Sequence, residues 1–181
     1  MPSPLAQEPE LSRPVQIDQI GADGVSMEIE ADPTEREALA RRFGLVRLDR
    51  LHASATVLPV SRKLFRVEAS FEAEVVQTCV VTLDPFGTRV AERFTALFGE
   101  GGPGVAALVS SEEEDQPEPI EGNAIDLGEA VAQHLALALD PYPRRPGASI
   151  PAEYAPNPED DGPGRAKPFA GLGVLKGSRE P

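Results

Sequence analysis

Hydrophobic and polar residues alternate along much of the middle of this chain, a pattern typical of strands with one buried face. From Phe65 to Leu83 every second residue is apolar except Gln77. Asp84-Pro85-Phe86-Gly87 predicts a turn after this run. The buried face of the return strand is predicted to consist of Val90, Phe94, Ala96 and Phe98. Because the first run exceeds the usual strand length of about five or six residues, the predicted hairpin must bend or curl.

The residues upstream predict a second long strand and two shorter ones. Apolar residues alternate from Leu51 to Val57, whereas Val46 and Leu48 are one residue out of phase, which predicts a bulge near positions 49 and 50. Pro59 is predicted to end that strand. Nearer to the start, residues 15–20 and 25–30 flank a glycine-containing turn and are predicted to pair with each other.

Two helices are predicted from capping signals. Asp32-Pro33-Thr34-Glu35 combines a cap residue, a proline at the first helical position and a glutamate three residues after the cap, and Gly44 ends this helix. Asp126-Leu-Gly-Glu129 repeats the cap pattern, and Asp140-Pro141 ends the second helix. The apolar stripe of the second helix consists of Leu127, Val131, Leu135 and Ala138.

These elements predict an α+β protein in which two helices pack on a strongly curved, mainly antiparallel sheet, and a barrel-like closure is one form that the curvature allows. We expect a flexible N-terminal tail over residues 1–12, a single domain over residues 13–143 with an acidic loop at 110–123, and a mostly disordered tail over residues 144–181. The last 41 residues of the chain hold nine of the nineteen prolines, and the tail carries a short apolar motif at 167–176.

The charge of the chain restricts its partners. The formal net charge is −13 at pH 7, so any contact with a nucleic acid must be local and cannot come from overall attraction. The single cysteine, Cys79, excludes an intrachain disulfide, and His52 and His134 add little material for a soft-metal site. The sequence shows no leader pattern and no apolar stretch of about 20 residues, so we expect a cytoplasmic protein without a membrane partner.

Between Arg36 and Arg66 the sequence carries eight basic residues against two acids, a local net charge of +6. This basic window consists of Arg36, Arg41, Arg42, Arg47, Arg50, Arg62, Lys63 and Arg66. One hypothesis is a contact with an RNA backbone, because phosphate binding needs arginines that converge in space. The alternative is an ordinary solvated surface.

Four further features have two interpretations each. The acidic run from Glu112 to Glu121 could bind a basic protein or form a solvated linker. Cys79 could be a nucleophile, but a buried free cysteine usually acts as a small hydrophobe. His134 lies on the core-facing side of the second helix, where a histidine is usually hydrogen-bonded packing and not a ligand. The apolar residues of the 167–176 motif recur every three positions and suit a short helix that docks either into a partner's groove or onto its own domain.

No catalytic arrangement is visible in the sequence. Gly99-Glu-Gly-Gly-Pro-Gly104 lacks the Lys-Ser or Lys-Thr ending of a phosphate-binding loop. No paired acid and base, no Ser-His-Asp order and no metal-ligand spacing is present. We therefore expect a binding protein with no catalytic residues, no metal, no cofactor and no small-molecule substrate.

Several segments together resemble the YceD family of large ribosomal RNA subunit accumulation proteins, in the form typical of alphaproteobacteria. The resemblance rests on the order and separation of the segments, which cover most of residues 13–176. They are the helix from Asp32 to Gly44, the strand-turn from Val75 to Phe86, the helix from Ile125 to Leu139, Asp140-Pro-Tyr-Pro143, and Lys167-Pro168-Phe169 with Leu172 and Leu175.

The resemblance implies an accessory role in large-subunit ribosome biogenesis that supports synthesis, processing or stability of 23S rRNA. The implied partners are large-subunit rRNA or a pre-50S particle, with a basic ribosomal protein as a further option. The candidate contacts are the basic window, Asp84, Pro85, Lys167, Pro168, Phe169, Leu172 and Leu175. The alternative is an acidic adaptor that binds protein and never touches RNA. Many relatives carry a Cys-x-x-Cys pair at the strand-turn, where this chain has Cys79 and Thr82, so no metal site is expected here.

Overall fold

A computed structural model describes residues 9–99, 117–120, 122–150 and 152–154. The chain divides into two compact units, Met1–Pro146 and Gly147–Pro181. The first unit contains the sheet and the helices, and a short 3-10 helix, Ala152–Tyr154, is described in the second. Residues 1–8 of the expected N-terminal tail, most of the acidic loop, most of the expected C-terminal tail and the 167–176 motif lie outside the described residues, and the predicted domain boundaries stay predictions.

The described elements of the first unit alternate between strands and two helices. In chain order they are β1 (Pro14–Gln16), a 3-10 helix (Ile17–Gln19), β2 (Val25–Glu30), α1 (Pro33–Phe43), β3 (Arg47–Ser61), β4 (Leu64–Thr78), β5 (Pro85–Gly99), β6 (Glu118–Pro119), β7 (Ala124–Asp126) and α2 (Leu127–Ala138). This content confirms the predicted α+β class.

The main sheet is open. Its strand order is β2-β3-β4-β5-β6, and only the short β5–β6 pair is parallel. β1 and β7 form a separate antiparallel pair. The barrel that the sequence allowed is therefore not formed, because β2 at one edge does not pair with any strand at the other. α1 packs against β3, and α2 packs against β4 and β5 on the same apolar face.

The long hairpin is confirmed, but its turn lies earlier than predicted. β4 and β5 pair without interruption from Leu64↔Gly99 to Thr78↔Pro85. The apolar face is buried as far as Cys79, whereas Leu83 is 76% exposed. β4 ends at Thr78 because the chain turns back at once, with the Cys79 N–H donating to the Asp84 carbonyl at 2.9 Å. Residues 79–84 therefore form the turn, and Pro85 to Gly87 already belong to β5.

The bulge in β3 is confirmed by a shift in register between Leu48 and Arg50. The prediction that Pro59 ends this strand was wrong, since β3 continues to Ser61. A second register shift lies between Pro59 and Ser61. Such an irregularity lets a proline, which has no N–H to donate, remain within a strand.

Both helix predictions are confirmed in start and end. Asp32 accepts hydrogen bonds from the N–H groups of Thr34 and Glu35, and the Glu35 side chain returns to the Asp32 N–H, which completes a capping box. Gly44 ends α1 in the left-handed conformation with φ of 66°, a conformation that favours glycine. In α2 the predicted stripe is buried except for Ala138, which is partly buried against the core.

The predicted pairing of residues 15–20 with 25–30 was wrong. β2 pairs with β3, whereas Val15 in β1 lies opposite Ile125 in β7. The cause is a set of long-range contacts at the start of α2, where the Asp126 carboxylate accepts from the Ser12 hydroxyl at 2.6 Å and the Arg13 N–H at 2.7 Å. Local alternation in the sequence carries no information about a partner so far along the chain.

The core lies between the sheet and the two helices. Its fully buried side chains include Leu11, Leu39, Leu51, Val67, Val131 and Leu135. Within the described residues, neither helix is long and apolar enough to cross a membrane.

Candidate binding surface at the loop end of the sheet

The turn after β4 is held against the segment that follows α2. The Val80 N–H donates to the Pro143 carbonyl at 2.9 Å, and the Gln77 amide donates to the Asp140 carbonyl at 3.1 Å. The Arg145 N–H points at the Cys79 sulfur, 3.4 Å away. These hydrogen bonds join residues 79–84 and 140–145 into one rigid surface at the end of the sheet.

Large apolar side chains are exposed at this end. The exposed fraction is 53% for Val46, 44% for Val80, 76% for Leu83 and 71% for Tyr142. Single exposed apolar residues are ordinary, but a group of them commonly marks an interaction site. We call this region the loop-end face, and it consists of Val46, Val80, Leu83 and Tyr142 with the nearby Arg41, Arg47, Arg144 and Arg145.

A groove of about 420 Å³ opens beside these residues, between the ends of α1, β4 and α2. Its lining is mainly apolar. The lining residues are Phe43, Gly44, Leu45, Gln77, Thr78, Val80, Ala136, Leu139, Asp140, Pro141 and Pro143. The groove is of a size that holds a side chain or a planar ring, which makes the loop-end face the strongest candidate site in the described part of the chain.

Most arginines of the loop-end face already have carboxylate neighbours. Arg41 contacts Glu37 at 2.8 Å, and Arg47 pairs with Asp49. The contact between Arg145 and Asp84 is longer, 3.7 Å. All of these pairs are substantially exposed, so each contributes little to stability and can exchange its partner at low cost. Arg144 has no carboxylate partner among the described residues.

The structure divides the basic window into two groups. Arg41, Arg42 and Arg47 lie near the loop end of the sheet, and Arg50 follows them in β3. Arg62, Lys63 and Arg66 lie at the β3–β4 turn, at the other end of 15-residue strands. At about 3.3 Å per residue, the two groups are up to about 50 Å apart. A single convergent footprint of all eight residues is therefore not formed.

Two arginines of the basic window have structural roles. Arg42 contacts Glu129 at 2.7 Å and Glu10 at 2.9 Å, and so links α1 to α2 and to the N-terminal segment. The hydrogen bond with Glu129 is the main reason why the pKa of Arg42 is raised. Arg36 donates to the Ala31 carbonyl at 2.6 Å, at the start of its own helix. Neither side chain is free to meet a phosphate without a loss of these contacts.

Of the other predicted contact residues, Asp84 and Pro85 lie at the loop-end face. Lys167, Pro168, Phe169, Leu172 and Leu175 lie outside the described residues, as does the run from Glu112 to Asp115. Tyr142, Arg144 and Arg145 were not among the predicted contact residues; their signal in the sequence is an aromatic residue between two prolines, followed closely by two arginines.

His134 packs on the apolar face, as the sequence indicated. Its ring stacks on the Phe94 ring of β5, with centroids 3.6 Å apart and an angle of 8° between the planes. His134 therefore joins α2 to the sheet.

Cys79 is wholly buried at the first position of the turn. The Thr82 hydroxyl and the Arg145 N–H hydrogen-bond the sulfur and lower the pKa of the thiol from 9.0 to about 6, while burial acts in the opposite direction. A role as an exposed nucleophile, which a cysteine-dependent activity would require, is not supported by this burial. The thiol instead helps to fix residues 79–84 against Arg145.

The stability that Cys79 contributes should depend on pH. Because the thiol has a pKa of about 6 in the folded chain against 9.0 ordinarily, the thiolate stabilises the fold fully above pH 9 and contributes nothing below pH 6. We expect the difference in unfolding free energy between the wild type and Cys79→Ala, measured with urea and a reductant, to grow from about pH 5.5 to about pH 8.5. Thr82→Val, which removes the main hydrogen bond, should reduce this growth. A difference that stays constant over the range would contradict the assignment.

The metal site suggested by relatives does not fit these residues. Thr82 occupies the second position of the Cys-x-x-Cys spacing that the resemblance suggested, and its hydroxyl already bonds the Cys79 sulfur. A tetrahedral zinc site needs four donors, and no group of three or more Cys, His, Asp or Glu side chains that could hold a metal ion occurs among the described residues.

The fold is that of an α+β protein with an open sheet, and the loop-end face presents exposed apolar side chains. The chain belongs to the YceD family. The family model, described as "Large ribosomal RNA subunit accumulation protein YceD", matches residues 67–176, which is more than half of the chain. This match confirms the resemblance noted from the sequence, and the family description implies a role in the accumulation of large-subunit rRNA. The alphaproteobacterial type stays a prediction.

The matched residues begin in β4 and include β5, α2 and most of the loop-end face. The arginines of α1 and β3 lie before the match. No curated protein and no solved structure matches this chain significantly.

Proposed function

We propose that this protein is a cytoplasmic binding factor that supports 23S rRNA accumulation by associating with pre-50S particles, through rRNA, a basic ribosomal protein, or both. The proposal gives the loop-end face the main contact, with Asp84 and Pro85 within it. Arg62, Lys63 and Arg66 at the other end of the sheet, and the 167–176 motif, are further candidates for contact.

The observation that carries this proposal is the composition of the loop-end face. Apolar side chains exposed to water cost free energy unless a partner covers them, in proportion to their area. Arginines at the border suit phosphate or carboxylate groups, because the guanidinium presents a planar set of donors. Together with family membership, this favours a surface that meets a ribonucleoprotein particle.

The first experiment is deletion of the gene, followed by sucrose-gradient profiles and quantification of 23S against 16S rRNA. The tagged protein is followed through the same gradients. We expect 23S rRNA to fall and the protein to migrate with pre-50S particles. An unchanged ratio of the two rRNAs would refute the ribosomal function.

The arginines of the loop-end face should matter more than other exposed arginines. We expect the combined substitution of Arg41, Arg47 and Arg144 by alanine to lower 23S rRNA toward the level of the deletion strain. If these arginines meet phosphates, the slope of log affinity for rRNA against log salt should fall by about three. Arg42 is left intact because its loss would disturb the contacts with Glu10 and Glu129.

Arg89→Ala is the matched control for this experiment, since Arg89 is exposed on β5 and pairs with Glu72 on the sheet. It should leave 23S rRNA unchanged. If the triple variant also leaves 23S rRNA at the wild-type level, the loop-end arginines are not the contact.

The second candidate function is an acidic protein-binding adaptor that does not touch RNA. The net charge of −13 favours it, as do the carboxylates beside Arg41, Arg47 and Arg145. The two functions predict different effects of RNase on binding of the protein to pre-50S particles. Binding to pre-50S particles that survives RNase digestion supports the adaptor, whereas release of the protein together with the RNA fragments supports direct RNA contact.

A further inference from the structure

We propose that Tyr142 is a stacking platform for an unpaired base of single-stranded RNA, with Arg144 and Arg145 placed to meet the adjoining phosphates. This inference rests on the proposed function and names the kind of RNA that the loop-end face would take.

Tyr142 is held on a rigid turn although its ring is exposed. Its N–H donates to the Asp140 carboxylate at 2.8 Å, and Pro141 and Pro143 on either side restrict the backbone. The turn is also fixed to the sheet, because Gln77 donates to the Asp140 carbonyl and Pro143 accepts from Val80. A ring that is 71% exposed on such a turn contributes little to the core, and it is already placed for a partner, which lowers the entropy cost of binding.

The neighbours of Tyr142 suit a nucleotide. Pro141 and Pro143, directly before and after it in the chain, line the apolar groove of about 420 Å³, whereas the Tyr142 ring does not line the groove and is left exposed for a planar group. Arg144 has no carboxylate partner among the described residues, and Arg145 has only the 3.7 Å contact with Asp84. An aromatic ring beside arginines is the usual arrangement for stacking a base and holding its phosphates.

The geometry favours single-stranded RNA over a duplex. Inside a duplex the bases are stacked on one another, so a lone exposed ring finds a free base face only at a duplex end. A protein partner could cover the apolar residues and pair a carboxylate with Arg144, but it would not need an exposed aromatic ring next to arginines in the chain, which a stacked base with its phosphates does. A single strand can stack a base on the Tyr142 ring and place its phosphates against the arginines.

The chain provides its own reporter for this test. It has no tryptophan and two tyrosines, Tyr142 and Tyr154, so Tyr154→Phe leaves Tyr142 as the single tyrosine emitter. Full-length Tyr154→Phe protein is titrated with a ten-nucleotide oligouridylate and, separately, with a long RNA duplex, in which end faces are few relative to nucleotides, at equal nucleotide concentration. We expect the single strand to quench the emission of Tyr142 and the duplex to leave it nearly unchanged.

Substitutions of Tyr142 supply a second measurement, of affinity. Tyr142→Leu, which keeps an apolar side chain and removes the aromatic face, should weaken oligouridylate binding by about 5- to 150-fold, as expected for one stacked base. Tyr142→Trp, which keeps an aromatic face, should bind oligouridylate about as tightly as the wild type. Because the ring is largely exposed, both variants should have the melting temperature of the wild type. An unchanged melting temperature would show that weaker RNA binding does not come from unfolding.

The outcomes separate this inference from the proposed function. If the protein migrates with pre-50S particles but Tyr142 is not quenched and Tyr142→Leu binds RNA normally, the stacking inference is wrong, and the loop-end face belongs to a protein contact. If oligouridylate quenches Tyr142 and Tyr142→Leu loses binding, the inference stands, even where gene deletion leaves the ratio of 23S to 16S rRNA unchanged and so refutes the ribosomal function alone.

Discussion

Gly128→Ala is expected to lower the free energy of unfolding by about 3 kcal/mol, although alanine is the better helix former. A Cβ at this position would lie 2.6 Å from the Leu11 carbonyl oxygen and 3.0 Å from the Arg13 nitrogen. Both atoms belong to backbone, so the neighbour cannot move aside by a change of rotamer. The N-terminal segment would have to leave its place on α2.

The size of this effect follows from what the segment contributes. Its displacement would expose Leu11, which is fully buried, and would break the hydrogen bond from the Leu127 N–H to the Arg13 carbonyl at 3.1 Å. The gain in helix propensity from glycine to alanine is at most about 1 kcal/mol. The clash therefore outweighs the propensity, and the melting temperature should fall by about 6–12 °C.

Gly21→Ala is the matched control, because nothing lies within 4 Å of a Cβ built there. It should change stability by less than about 0.5 kcal/mol. Urea denaturation measures both variants, and limited proteolysis should show earlier cleavage near Leu11 in Gly128→Ala. A Gly128→Ala protein as stable as the wild type would mean that the N-terminal segment does not lie against α2.

Asp126→Ala is expected to cost about 3 kcal/mol, well above the loss of an ordinary helix cap. The Asp126 carboxylate caps α2 through the N–H groups of Gly128 and Glu129 at 2.9 and 3.1 Å. It also accepts from Ser12 and Arg13. One side chain thus satisfies donors on α2 and on the N-terminal segment, and alanine would leave all of them without this acceptor.

Asp32→Ala provides the comparison, because Asp32 caps α1 by the same local pattern. Its hydrogen bonds with Thr34 and Glu35 are local and exposed, so its loss should cost only about 1 kcal/mol. Asp126→Asn, which keeps an acceptor oxygen at the same place, should recover most of the stability lost in Asp126→Ala. Equal losses for the two alanine variants in urea denaturation would show that the contacts of Asp126 with the N-terminal segment contribute nothing.

The comparison of Asp32 and Asp126 shows which parts of the fold the sequence could predict. Both caps, the ends of both helices and the bulge in β3 follow from signals within a few residues, and these predictions are confirmed. The pairing of β1 with β7 was missed because its cause lies in atoms of Arg13 and Asp126, which are 113 residues apart. No periodicity links such distant positions.

The turn after β4 was misplaced for a related reason. Alternation continues through Val81 and Leu83, yet the chain leaves the sheet at Cys79, and Leu83 takes a positive φ of 60°. Hydrogen bonds from Arg145 and to Pro143 stabilise this early turn, and both partners are distant in sequence. Pro85 favours a turn in the sequence, but a proline is also tolerated at the first position of a strand, and that is its place in β5.

The candidate site was predictable only in part. The sequence identified arginines and the residues Asp84 and Pro85, but it could not show that carboxylates neutralise Arg41 and Arg47. Nor could it show that Arg42 holds two helices together. The exposed fraction of a side chain depends on how the whole fold packs. The sequence therefore could not show that the Tyr142 ring is exposed.

The pairing of β1 with β7 also sets a delay in the synthesis of this protein. Arg13 is made 113 residues before Asp126, which at about 5–20 residues per second is an interval of about 6–23 s. During that time the segment with Leu11 and Val15 lacks its partners in β7 and α2, while the β3–β4 and β4–β5 hairpins and the β2–β3 pair, which are closer in sequence, can form as they emerge. The apolar segment with Leu11 and Val15 therefore stays exposed in the nascent chain until α2 is complete, and a chaperone that binds short apolar segments has its best opportunity in this interval.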